Sequence, residues 1–345
     1  RHDDNAQYCR LMARSTMWLV LIVGCAAGMA PMAQPVRHEF IDLASQYTLF
    51  WNETRDMPPA DRVVAFKARF EILLPGFFSA ERVGMTSGQY DSAIARSFDR
   101  FSEIHDRFTT VTSELSRILE PAYASFARVF PDLTPIGPLY VVHSLGEFDG
   151  GTRKIAGEIR LLFGADVIAQ LHDLTDETPF VHHELFHVYH AQYFSECEAM
   201  WCALWSEGLA VLAAQHLNPK ATDAELLLTH PRTIRPEVER NRTAAVCAVA
   251  LRLNSTESAD YASLFSNGAP IADLPPRFGY YVGLLVAAEA AKAAPLAELA
   301  RMGNEHARDL VTGIVAKLAQ CEPSGRVARN DVQNLIRNLW IDVPA

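Results

Sequence analysis

Apolar positions repeat at intervals of three and four through much of residues 36–130. Val63, Val64, Phe66, Phe70, Ile72 and Leu73 form one such run, and Ile94, Phe98, Phe101, Ile104, His105 and Phe108 form another. That spacing lines one face of a helix. Pro58-Pro59, Pro75-Gly76 and Pro121 are expected to punctuate these helices, and the phenylalanine stripes read as packing surface. After the Pro/Gly-rich stretch 131–138 the texture changes. Leu139–Val142 reads as a strand, Gly146–Gly151 as a glycine-rich turn, and Glu158–Phe163 as a second strand ended by Gly164. From Thr178 the pattern is helical almost to the end, with no internal repeat. The expected class is α+β: mostly helical, with a small sheet.

Within the helix that opens at Thr178-Pro179 stands His183-Glu184-Leu185-Phe186-His187, an HExxH. Residues i and i+4 lie about 40° apart around a helix, so the two imidazoles face one point and can share a metal. Glu184 sits off that axis, near enough to reach a water there. Thr178 is expected as the helix N-cap, with Pro179 at the first position. Nineteen residues after His187 comes Glu207, in a second helical pattern over Trp201–Leu217, with a turn expected around Ser195–Glu198. Two antiparallel helices joined this way bring a carboxylate back to the histidines. Two His and one Glu with an open fourth position is a catalytic zinc arrangement. His190 stands where the HExxHxxGxxH pattern places Gly, and Tyr193 where it places the last His, so His190 reads as structural. His182 is expected to point elsewhere, into solvent.

Composition narrows the setting. The 345 residues carry 41 acidic and 31 basic side chains, net -10, with no basic run. Nucleic acid is therefore excluded as a partner, because phosphate contacts need clustered Lys and Arg. Arg10 and Arg14 precede an uncharged stretch from Ser15 to Val36 that opens Met17-Trp18-Leu19-Val20-Leu21-Ile22-Val23 and continues into small residues. A positive start, a short apolar run and small residues form the pattern of a secretory signal peptide. Ile22-Val23-Gly24-Cys25 resembles the bacterial lipobox; lipidation at Cys25 and simple cleavage near Ala27–Ala33 both remain open. Either route predicts an exported protein: periplasmic, an outer-membrane lipoprotein held by Cys25, or extracellular. Export makes Cys197–Cys202 and Cys247–Cys321 the preferred disulfides among three connectivities. No CxxC occurs, which argues against a cysteine zinc site.

HExxH followed by Glu at this separation resembles the gluzincin metallopeptidases, the group that contains thermolysin. Glu207-Gly208-Leu209-Ala210 and Gly279-Tyr280-Tyr281-Val282-Gly283 are similar to segments of predicted bacterial zinc-dependent proteases. The resemblance spans about residues 139–290, carried by these short motifs. It implies a zincin-like domain over 131–345 whose small sheet packs against the HExxH helix, following an export segment (1–33) and a helical region (34–130). It also implies Zn2+ on His183, His187 and Glu207, Glu184 as general base, and a peptide or protein substrate. An edge strand, here Glu158–Phe163, would pair with that peptide. Tyr280, Tyr281 and Arg277 are candidate transition-state donors, with His143 and His172 behind them. Val211 departs from the thermolysin pattern, which has an Asp there to support a histidine. Two other readings stay open: an envelope binding protein with a structural or vestigial metal site, and a zinc hydrolase of non-peptide amides.

Overall fold

A computed structural model describes residues 39–321, apart from 173–175 and 196. The expected export segment, with Cys25, lies outside the described residues. Those described belong to one compact unit, and none of their helices is long and apolar enough to cross a membrane.

The chain opens with β1 (Phe40–Asp42), α1 (Ala44–Glu53), α2 (Pro59–Leu73) and α3 (Ser87–Val129). The last starts in a capping box: Thr86 Oγ1 accepts from the Gln89 N–H at 3.3 Å, and Gln89 Oε1 accepts from the Thr86 N–H at 2.9 Å. The predicted stripe is its buried face, from Ile94 through Phe98, Phe101 and Phe108 to Phe126. Pro121 does not end this helix, contrary to expectation. Aromatic packing beyond it outweighs the one lost hydrogen bond: the Phe130 ring lies 4.6 Å from those of Phe126 and Tyr189. The three helices enclose an aromatic layer centred on Tyr47, whose ring is 5.0 Å from Phe101 and 3.9 Å from the stacked imidazole of His143.

Next come β2 (Leu139–Val142), β3 (Gly150–Ile155), β4 (Glu158–Gly164) and α4 (Ala165–Leu171). The sheet order is β1-β2-β4-β3, with β1, β2 and β4 parallel and β3 antiparallel at the edge. Two expectations change here. Glycines 150 and 151 open a strand rather than close a turn. Residues 158–163 lie inside the sheet, between β2 and β3, so the edge role falls to β3. The hairpin turns through Ala156 and Gly157, both at positive φ, which gives the backbone twist that a two-residue turn between antiparallel strands requires.

The remaining helices are α5 (Thr178–His190), α6 (Met200–Leu217), α7 (Arg235–Arg240), α8 (Arg242–Ala250), α9 (Ser258–Phe265), α10 (Phe278–Ala290), α11 (Leu296–Ala300) and α12 (Asn304–Leu318). The fold is thus mostly helical α+β, as expected. Its sheet meets α5 through Gly150 and through the Phe163–Phe180 ring pair at 5.9 Å. Thr178 is the first residue of α5 rather than its cap. Its N–H bonds Asp176 Oδ1, while the Glu177 carboxylate is taken by His172. Cys197 is joined to Cys202, and Cys247 to Cys321.

Candidate metal centre

Helix α5 is buried around nearly its whole circumference, its polar residues His182, His183, Glu184 and His190 included. His183 and His187 sit one turn apart on this buried element, with Nε2 atoms 3.0 Å from each other. Helix α6 packs alongside and brings Glu207 Oε2 to 3.3 Å from each Nε2. These three residues form a group that can hold a metal ion. A tetrahedral ion with bonds of about 2.0–2.1 Å keeps its donors about 3.3 Å apart, and the observed triangle matches. Glu207 Oε2 is also buried without a hydrogen bond, and an orphaned carboxylate oxygen of this kind calls for a cation. Burial works against charge at both partners, yet Glu207 lifts His187 to about 9, and the two histidines hold the Glu207 carboxyl far below its ordinary value.

The helix approach that positions Glu207 depends on two glycines. A Cβ on Gly208 would stand 2.2 Å from the Gly283 carbonyl oxygen, and one on Gly283 would stand 2.6 Å from that of Leu204. Helices α6 and α10 therefore touch backbone to backbone, one residue past Glu207 and three past Tyr280. The Ser206 hydroxyl lies 3.3 Å from His187 Nδ1. It is a polar partner for the His187 ring nitrogen that faces away from Glu207.

Glu184 is buried, and burial raises its carboxyl above the ordinary value. Edge strand β3 crosses directly over it: a Cβ on Gly150 would lie 2.8 Å from Glu184 Cγ. Only glycine leaves the strand room there. Just before that strand, Asp149 Oδ2 is 3.4 Å from His172 Nε2, and His172 Nδ1 is 2.8 Å from Glu177 Oε2. Burial opposes a charge on His172, but the two carboxylates outweigh it and raise the ring to about 9.

The two candidate tyrosines part company. Tyr280 faces the centre, half-buried, with its ring 6.5 Å from that of His183. Burial, then the Glu207 charge, raises its phenol well above the ordinary value, so it stays a neutral donor. Tyr281 points the other way: its hydroxyl donates to Glu239 at 2.5 Å under the Arg235 guanidinium. A one-residue step around a helix turns a side chain by about 100°, which removes Tyr281 from the site. His143 is packed into the aromatic layer against Tyr47, Phe101 and Phe108. His190 is structural: its Nδ1 bonds the Ala300 carbonyl at 2.8 Å and its ring stacks on Phe194.

His182 is buried rather than solvated. Its Nδ1 accepts from the Asn218 amide at 2.8 Å, so Nε2 carries the proton and faces the Ala122 carbonyl at 3.1 Å. These partners, on α3 and at the end of α6, clamp α5 from behind. Sequence reasoning missed Asp149, Glu177, Gly150 and Tyr261. Tyr261 joins the site through Phe265, whose ring is 5.7 Å from Tyr280. Comparisons with protein-family models, with curated proteins and with solved structures returned no match.

Proposed function

We propose that this protein is an exported zinc metallopeptidase of gluzincin type that hydrolyses peptide bonds. One observation carries the reading: His183, His187 and Glu207 converge at 3.0–3.3 Å with Glu184 adjacent and buried. Two nitrogens and one carboxylate oxygen suit zinc, and three protein donors are what a catalytic rather than a structural site supplies. Two disulfides fit an oxidising compartment, in keeping with the leader-like N-terminus.

His183, His187 and Glu207 would hold the zinc, which would supply a Lewis acid for the scissile carbonyl and a water of lowered pKa. Glu184 is placed to accept a proton from the attacking water and to pass it to the leaving amine, and burial raises its carboxyl above the ordinary value, the direction that eases this exchange. The neutral Tyr280 hydroxyl donates toward the oxygen on which negative charge develops. Edge strand β3 offers its free backbone to an extended peptide and leads it across Glu184. Ser206 holds the His187 ring.

Metal analysis of the purified protein together with Glu184→Gln tests this reading. About one zinc per chain is expected in both proteins, with peptidase activity at least 10²-fold lower in the variant. Equal activity in the two removes Glu184 from the mechanism. Absence of bound metal removes the site.

A further inference from the structure

Arg277 is the cation that the proposed mechanism leaves unused. It immediately precedes α10 with φ of 62°, a left-handed backbone that non-glycine residues seldom adopt and that recurs at functional sites. Its guanidinium lies over the Tyr280 ring, 4.8 Å from the centroid, and Tyr280 is the tyrosine that faces His183. Its one hydrogen bond is long, 3.4 Å from Nη1 to the His230 carbonyl. No carboxylate among the described residues pairs with it at ion-pair distance. This sets it apart from Arg235 and Arg252 of the same half, each paired to an aspartate within 3.0 Å.

Its surroundings make an unpaired arginine more pointed. Glu184, Glu207 and Asp149 stand around the centre, and Arg277 is the guanidinium on its Tyr280 side. Asp149 has His172 as its contact partner at 3.4 Å, and the Arg277 charge reaches the same carboxylate only at longer range. The first N–H groups of α10 add positive potential at the same end. A planar guanidinium with forked donors recognises a carboxylate. The spacing says which one: guanidinium, Tyr280 ring and His183 ring follow at 4.8 and 6.5 Å. An extended residue covers about 3.3–3.6 Å, so a peptide cleaved at the metal reaches Arg277 within roughly one to three residues.

We infer that Arg277 binds the free α-carboxylate of the substrate, making this protein a C-terminal exopeptidase that releases short fragments. The inference rests on the metallopeptidase reading and adds to it the end of the chain that is recognised.

The test uses matched peptides that differ only at the C-terminus, free acid against amide. For the parent protein, kcat/KM on the amide falls at least about tenfold, the loss of one charge-assisted contact. Mass spectrometry finds one to three residues released. In Arg277→Gln the free-acid to amide ratio collapses towards one, and Arg277→Lys restores part of it. Equilibrium binding to the inactive Glu184→Gln protein gives a readout free of turnover: the amide binds about tenfold more weakly. Zinc content and thermal midpoint of Arg277→Gln confirm its fold. If the parent cuts acid and amide equally, the carboxylate role is overturned while the peptidase reading survives. Equal losses on both peptides in Arg277→Gln assign it to transition-state stabilisation or to structure and also overturn the role. If neither peptide is cut by zinc-loaded parent, both readings fall.

Discussion

The aromatic layer of α1–α3 is fully buried, the α5–α6–α10 cluster only in part, and the two use burial for different ends. In the first, Tyr47, Phe66, Phe70, Phe98, Phe101 and Phe108 meet ring to ring, and the Tyr47 hydroxyl is bonded to Ser97. In the second, His183, His187, Glu184 and Glu207 are held in an apolar setting that does not satisfy them all. Apolar burial stabilises, whereas burial of titratable groups costs stability and gives the centre its chemistry. The buried Glu207 oxygen, set between two imidazoles, therefore marks where a cation fits.

Three perturbations break this contrast, from the largest effect to the smallest. Phe101→Ala removes a fully buried ring and should cost about 3–5 kcal/mol in urea unfolding, with zinc stoichiometry of the folded protein unchanged. A change in stoichiometry would mean that the regions are not separable in this way. His172 gives the second effect. Its pKa is about 9 in the fold, against 6.5 in the unfolded chain. Between these values the native state binds more protons, so its contribution is full below pH 6.5 and is lost as pH rises through 9. Unfolding free energies from urea titrations of parent and His172→Gln should differ by about 3 kcal/mol at pH 6, a difference that shrinks as pH rises through 9. A difference that grows with pH contradicts the charged His172. Third, Gly208→Ala puts a methyl group against the Gly283 carbonyl. It should cost about 1–3 kcal/mol and weaken zinc retention against a chelator, with the aromatic layer's near-UV signal preserved.

What could be read from the sequence follows the range of the interactions involved. The phenylalanine stripes and the His183–His187 pair are local, set by helical spacing alone. Glu207 could be reached by adding one turn between two helices. Gly150 reads as part of a turn because glycine signals turns, while the real reason for glycine there, a close pass over Glu184, lies 34 positions away in the chain. Choosing Tyr280 over Tyr281 requires the rotation of α10, which the Gly208–Gly283 contact determines across 75 positions. His182 looked solvated because Ser125, Ala122 and Asn218 are distant in sequence. Local periodicity locates helices, but it does not report what meets them.

Strand β3 has one further consequence, concerning how copies of this protein behave together in solution. A bare sheet edge that welcomes an extended peptide also welcomes its own duplicate. Here the exposed Lys154 sits on that edge, with Arg153 beside it. Two molecules meeting edge to edge would set one Lys154 against the other, Arg153 being paired to Glu147 in each, whereas a single peptide strand brings no such opposition. The strand can thus stay open to a guest while remaining closed to its own kind, and that protection weakens as salt screens the charges.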